Sequence, residues 1–354
     1  MKTKGGSVVR LVCIVLMMMI FTVSSYAESS TRDVSAKAAV VIDVANERIL
    51  YAKNPHYKQP PASTTKLVTA MVVLDRLPLD KVVKVSETAS QTPTVSPRIR
   101  EGEHFTVEDL LYMLLMRSIN SAAVALAEAV AGSEEEFVRL MNQKAASIDA
   151  ENTRFANASG LPGGEQYITA FDLAKIMKES LKYPQIKEII NTKARHIASK
   201  EGRRLFLKNT NQLLWSDDAL IGGKTGYTKA AQHCFVSAGK KANTTIVVAL
   251  LGDNARDNLW NDTDFLLRFG EDVLMSRIEP VMFFTNTSDN PAILASYKKK
   301  DSDKKFSKKV KKSPKQKQIK KPKKTVKPKN QVLKQKPNVN KDTASIQRSS
   351  LKRS

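Results

Sequence analysis

Pro60-Pro61-Ala62-Ser63-Thr64-Thr65-Lys66-Leu67-Val68-Thr69-Ala70 is the stretch on which the reading of this chain turns. The paired prolines halt the segment before them. Apolar Leu67, Ala70, Met71, Leu74 and Leu77 then recur at helical spacing until Pro78, so Ser63 is expected to open a buried helix. Two helical side chains three apart share a face, which brings Ser63 and Lys66 within hydrogen-bonding distance. A serine hydroxyl is a poor nucleophile until a base removes its proton, and a lysine can be that base only if burial and nearby cations lower its pKa. The S-x-x-K spelling recurs at Ser237–Lys240, Ser296–Lys299, Ser302–Lys305 and Ser349–Lys352, so it carries no weight by itself. A helix cap followed by an exposed lysine is the ordinary alternative.

Two later signatures change that balance. Ser118-Ile119-Asn120 falls in a break after the apolar run Leu110–Met116. Such a break can present Ser118 as a proton relay beside Lys66 and leave the Asn120 amide to hold a substrate carbonyl. Read alone, Ser and Asn there are helix caps. Lys224-Thr225-Gly226 is the one K-T-G in the chain, follows Gly222-Gly223 and lies on an expected strand. Lys224 can hold Ser118 and a substrate carboxylate, Thr225 can donate to that carboxylate, and Gly226 leaves room for substrate backbone. The Ser63 N–H and the Tyr227 N–H are the expected oxyanion donors. Each signature has a bland reading, but the three in this order describe acyl transfer through a serine.

Working outward, Lys2, Lys4 and Arg10 precede an apolar run from Leu11 to Val23, and small residues at Ser25 and Ala27 mark a cleavage site, so residues 1–27 read as an export signal. The run is short of the roughly 20 residues that span a bilayer; an uncleaved anchor is the alternative. The protein is therefore expected outside the cytoplasm, periplasmic or extracellular and associated with the cell wall. Cys13 lies in the signal, leaving Cys234 without a disulfide partner and best read as a buried apolar residue. The formal charge of +23 is unevenly placed: residues 298–354 carry a net +20 and the signal +3, so residues 28–297 are neutral. The Lys- and Pro-rich segment 298–354 is expected to be a disordered polycation that binds anionic envelope polymers or lipid headgroups; nucleic acid is not an expected partner of an exported chain.

Residues 28–297 suit one catalytic domain of α/β class. Ala38–Asp43 and Arg48–Tyr51 read as a hairpin, Thr106 to Ile148 as a helical lobe with capping residues at Thr106 and Ser133, and Thr169–Leu181 as a further helix. Strand character returns at Leu220–Thr225, Cys234–Ala238 and Thr244–Leu251, and a closing helix runs from about Asn258 to Met275. The order favours an antiparallel sheet made from both chain ends, flanked by helices, with an all-helical lobe inserted and a cleft where lobe meets sheet.

With these signatures in place, the chain resembles the low-molecular-mass penicillin-binding proteins of the serine D-Ala-D-Ala carboxypeptidase family, over roughly Ser35 to Met275. Ala38–Val44, Pro60–Ala70, Asn152–Asn157 with Gly160-Leu161-Pro162, and Thr169–Ala174 add to the likeness. The resemblance implies a β-lactamase/transpeptidase-like fold, Ser63 as acyl-enzyme nucleophile, Lys66 as proton acceptor, Ser118 and Asn120 as relay and substrate clamp, and Lys224 with Thr225 as carboxylate site. It further implies peptidoglycan stem peptides as substrate, β-lactams as covalent inhibitors, no cofactor, and action as a monomer. Many members have Gly where this chain has Ile119, whose expected effect is to pack into the lobe. Too few residues separate Met275 from the basic tail for the β-sandwich that many carboxypeptidases add. Asn209–Leu213 and Ala230–Phe235 look instead like the single-domain DD-endopeptidases, so carboxypeptidase and endopeptidase both stand. Arg256 is the nearest candidate for a substrate-holding arginine, but spacing does not fix it.

Among rivals, a serine β-lactamase needs an extra carboxylate poised on water, for which no convincing loop is seen. A zinc site is not indicated, because His56, His104, His196 and His233 are scattered without ligand spacing. A non-catalytic wall-binding protein is the alternative of another class.

Overall fold

Alternation along the first strand explains why the sheet is covered on both sides. The computed structural model describes residues 33–283. In β1 (Ala38–Asp43), Ala38, Val40 and Ile42 join one apolar cluster while Ala39 and Val41 join a second, as the two-residue period of a strand requires. β9 (Thr244–Asp253) does the same: Val247, Ala249 and Leu251 face the first cluster, Ile246, Val248 and Leu250 the other. Each fully buried aliphatic side chain here is worth roughly 1.5–3 kcal/mol.

β1 forms a hairpin with β2 (Arg48–Lys53), closed by a turn in which the buried Asp43 carboxylate accepts from Ala45 N at 3.1 Å and Asn46 Nδ2 at 2.7 Å. The same carboxylate accepts from Thr244 Oγ1 at 2.7 Å, which ties this turn to the start of β9. β7 (Leu220–Thr228), β8 (Gln232–Lys241) and β9 follow as an antiparallel meander, and β9 pairs back on β1. The sheet order is β10-β2-β1-β9-β8-β7, so both ends of the domain meet in its centre, as expected. One departure is the short β10 (Val281–Phe283), which adds to β2 in parallel. Three residues leave too little periodicity to read in advance.

The inserted lobe contains α1 (Lys66–Leu74), α2 (Glu87–Gln91), α3 (Val107–Met116), α4 (Asn120–Ala131) and α5 (Glu134–Ser147). Thr106 and Ser133 cap their helices as the sequence indicated: their hydroxyls accept from Asp109 N at 3.1 Å and Glu136 N at 3.2 Å. Ile119 is fully buried in the lobe. α6 (Ala170–Ser180), capped by Thr169, lies on the lobe side of the sheet, and α8 (Arg256–Leu274) covers the other face.

Five elements escaped the sequence reading besides β10 and α2. They are the hairpin β3 (Val82–Lys84) and β4 (His104–Thr106), α7 (Pro184–Asn191), and the hairpin β5 (Ala194–Ala198) and β6 (Arg204–Lys208). In β6 only Leu205 and Leu207 are buried, and charged flanks hide so short a signal. Among the described residues no helix is long and apolar enough to cross a membrane. The expected signal 1–27 and basic tail 298–354 lie outside the described residues.

α8 packs tightly on the sheet at Gly270, where a Cβ would meet Val41 Cγ1 at 3.1 Å, Ile246 Cδ1 at 3.2 Å and Leu50 Cδ1 at 3.3 Å. Gly270→Leu gains about 1 kcal/mol of helix propensity but forces four carbons into filled space. A net loss of about 1–2 kcal/mol is expected, read as a fall of roughly 2–8 °C in Tm by calorimetry.

Candidate active site

Ser63 does not open the α-helix. It sits in a 3-10 turn, Ala62–Thr65, that runs directly into α1 at Lys66. Thr64 closes this turn by donating to Pro61 O from its hydroxyl at 2.6 Å and from its N–H at 3.3 Å. In a 3-10 coil, side chains three apart eclipse one another, so Ser63 and Lys66 face each other more directly than on an α-helix. Ala62 takes a left-handed φ of 47°, and Gly160 packs so tightly on its carbonyl that a Cβ there would lie 1.8 Å from Ala62 O.

Lys66 is fully buried. Its Nζ lies 2.9 Å from Ser63 Oγ, 2.6 Å from Asn120 Oδ1, and in a short contact with Ser159 O. Burial, and then the charge of Lys224, hold its pKa well below the lysine range. A neutral amine has two N–H donors and one lone pair. Asn120 Oδ1 and Ser159 O can only accept, so they take the two donors and leave the lone pair for the Ser63 O–H. With the amine uncharged, the 2.9 Å contact points the serine proton at its acceptor.

Asn120 is oriented from outside the cleft. Its Nδ2 donates to Pro93 O at 2.7 Å and its backbone N–H to Thr94 Oγ1 at 2.8 Å, which turns Oδ1 toward Lys66. One Nδ2 hydrogen remains for a substrate carbonyl. Ser159 was missed as a site residue by the sequence reading. Its carbonyl is fixed because Asn157 Oδ1 accepts from Ser159 N at 3.2 Å and Gly160 N at 2.7 Å. Only the quoted run Asn152–Asn157 with Gly160 hinted at this loop.

Ser118 occupies the break between α3 and α4 with a left-handed φ of 64°, a strained geometry for a residue with a side chain. Lys224, fully buried on β7, donates to Ser118 Oγ at 3.1 Å and to Thr225 O at 2.8 Å. Ser118 is thus held by Lys224, as the sequence indicated, and no hydrogen bond joins it to Lys66 among the described residues. Burial lowers the Lys224 pKa to about 7. No carboxylate hydrogen-bonds to Ser63, Lys66, Ser118 or Lys224 among the described residues.

β7 is the edge strand, with its free side against the 3-10 turn. Gly226 is required there, since a Cβ would lie 3.0 Å from Ser63 N and 3.1 Å from Ala62 Cβ. Tyr227 lies exposed at the rim, its ring 4.4 Å from that of His233. Thr225 Oγ1 is 2.7 Å from Thr210 Oγ1, and Arg256 donates to Thr210 O at 3.1 Å. The arginine that spacing left open therefore stands one residue removed from Thr225. Thr210 was not foreseen, because the β6 hairpin that delivers it was not. Cys234 is buried, and burial pushes its thiol up to about 12, in keeping with an inert apolar role.

The chain carrying this arrangement is similar to known proteins. The family model described as D-alanyl-D-alanine carboxypeptidase, Peptidase S11, matches residues 24–255. D-alanyl-D-alanine carboxypeptidase DacF of Bacillus subtilis is 34% identical over 247 residues, which cover 67% of this chain and 64% of DacF, slightly under two thirds of that relative. A D-alanyl-D-alanine endopeptidase of Escherichia coli is also 34% identical, over 277 residues covering 77% of this chain and 84% of that protein. The crystal structure of the Streptomyces K15 DD-transpeptidase superposes with a TM-score of 0.65 at 28% identity, over 68% of this chain and 98% of that one. The fold, the site and these matches agree: the chain belongs to the D-alanyl-D-alanine carboxypeptidase family of serine peptidases.

Proposed function

We propose that this chain hydrolyses the bond that follows a D-alanine in peptidoglycan stem peptides, through an acyl-enzyme on Ser63. The observation that carries the reading is the buried Lys66 amine 2.9 Å from Ser63 Oγ, its pKa held well below the lysine range by burial and by Lys224. Lys66 takes the serine proton as Oγ attacks the D-alanyl carbonyl carbon. The Ser63 and Tyr227 N–H groups stabilise the oxyanion. Ser118, held by Lys224, gives its hydroxyl proton to the departing amine and regains one from the Lys66 ammonium, and water then hydrolyses the ester with the freed Lys66 amine as base. Lys224, Thr225 and Arg256 hold the carboxylate of the leaving residue, and Asn120 with the free edge of β7 holds the peptide before it. If that leaving residue is D-alanine, the enzyme is a carboxypeptidase. An amine from a second stem peptide makes it a DD-endopeptidase, a reading favoured by the greater share of the Escherichia coli endopeptidase that is matched.

β-Lactams imitate the same bond, and opening of their ring would leave Ser63 acylated. The lack of a carboxylate bonded to the serine or either lysine, among the described residues, supports slow release over β-lactamase turnover. Residues 28–297 serve as the catalytic domain of an exported protein acting as a monomer, and the +20 segment 298–354 attaches it to anionic wall polymers or headgroups. Deleting that segment should abolish salt-sensitive wall binding and spare hydrolysis of a soluble peptide; retained wall binding defeats the tether.

Ser63→Ala is expected to remove covalent penicillin labelling, seen by intact-protein mass, and to cut hydrolysis by at least about 10⁴-fold. Gly226→Ala pushes the turn by a few tenths of an ångström and should slow penicillin acylation by up to about 10²-fold, with little change in Tm. The pH profile has a definite sign. As pH falls through the Lys66 pKa, well below the lysine range, kcat/KM drops because the base is protonated. Above about 7 it drops again as Lys224 loses the charge that holds the carboxylate. In the kcat profile the upper limb should move to higher pH, because a bound carboxylate keeps Lys224 protonated; coincident upper limbs would remove Lys224 from substrate binding.

A further inference from the structure

The cleft does not end at the carboxylate site. Beyond Thr225 it continues as a groove of about 630 Å³, with Thr210 and Arg256 at its near end and Arg117, Lys208, Phe206 and Trp215 along it. Its near end is continuous with the reacting centre: Thr210 meets Thr225 at 2.7 Å, and the Thr210 N–H donates to Met116 O, two residues before Ser118. This is the side toward which the leaving group departs once Ser63 has taken the acyl half. A single released alanine would occupy a small part of such a groove.

Its chemistry is one-sided. Three cations line it and no acidic residue does. Neither Arg117 nor Lys208 has a carboxylate partner among the described residues: Arg117 gives Nε to Ser96 O at 2.9 Å, and Lys208 Nζ lies 5.4 Å over the Trp215 ring. Phe206 and Trp215 are 54% and 45% exposed, so two large aromatic faces border the groove in contact with water. Unpaired cations between exposed aromatic faces suit a peptide carrying free carboxylates.

We propose that this groove is a leaving-group subsite for an anionic peptide, the second stem peptide of a cross-link, with Lys208, Arg117 and Trp215 as its specificity-determining residues. The inference rests on the serine-peptidase reading above and assigns its preferred leaving group. In the step concerned, the D-alanyl carbonyl forms its ester to Ser63 Oγ as the amide bond breaks. The released amine of the second peptide leaves with the returned proton, its carboxylates against the cations of the groove.

The test compares a cross-linked muropeptide dimer, the same dimer with every second-strand carboxylate except that of the leaving residue amidated, and a short acyl-D-Ala-D-Ala tripeptide, for the full-length wild type and for the Lys208→Glu and Trp215→Ala variants. The ratio of kcat/KM for the dimer to that for the tripeptide should fall at least tenfold in Lys208→Glu, mostly through KM. Amidation should lower the wild-type ratio to the same extent and have little further effect in Lys208→Glu. An unchanged ratio in both variants, or equal turnover of free and amidated dimers, overturns the subsite. Penicillin labelling of the same preparations reports the serine chemistry separately. A wild type that labels but shows no dimer preference defeats the subsite alone; one that takes no label defeats the serine reading and the subsite with it.

Discussion

Two lysine amines buried in one cleft set the terms for the rest of this molecule. Removing an ammonium ion from water costs several kcal/mol unless a counter-charge or full hydrogen bonding compensates it. No carboxylate is bonded to Lys66 or Lys224 among the described residues. The fold therefore relieves the strain by protonation state, and each cation makes the other less favourable. Lys66 feels both burial and the charge of Lys224, and its pKa lies well below the lysine range. An uncharged amine beside a serine is the reagent that acyl transfer needs. The destabilisation is thus part of the chemistry.

Keeping such a pair buried and separate needs two rigid bodies. Lys66 comes from the first turn of a helix whose residues up to Val73 are all buried, and Lys224 from a strand whose backbone is paired along its length with β8. Ser118 and Asn120 come from a third place, the left-handed break between α3 and α4, pinned by Pro93, Thr94 and Lys224. The glycines at 160 and 226 let the Ala62–Thr65 turn be clasped from two sides, at a distance no side chain would permit at 160 and one that a methyl group would crowd at 226. Positive φ at Ala62 and Ser118 indicates that surrounding contacts over-determine both positions.

Much of the architecture was legible because it rests on periodicity. The β1–β2 hairpin, the β8–β9 hairpin, the helical lobe, the caps at Thr106 and Ser133 and the helix after Thr169 follow from local pattern. The β5–β6 hairpin was not legible, since Arg204, Phe206 and Lys208 face outward and two buried leucines are too few to mark a strand. With it went Thr210 and the groove beyond Thr225. The helix start at Ser63 was misplaced by three residues because a 3-10 turn and an α-helical first turn share the same spacing signal.

The sequence by itself determined the reactive groups and their order along the chain, because Ser63 and Lys66 are covalently close and any helical coil brings them together. It also determined the two-faced sheet, because alternation in β1 and β9 has one buried solution. Tertiary structure alone decided that burial and the nearby Lys224 lower the Lys66 pKa, that the Ser159 carbonyl completes the lysine's partners, and that Arg256 stands beside Thr210. Those facts depend on which solvent and which charges surround a group. Solvent exclusion arises only when segments more than ninety residues apart in the chain close on one another.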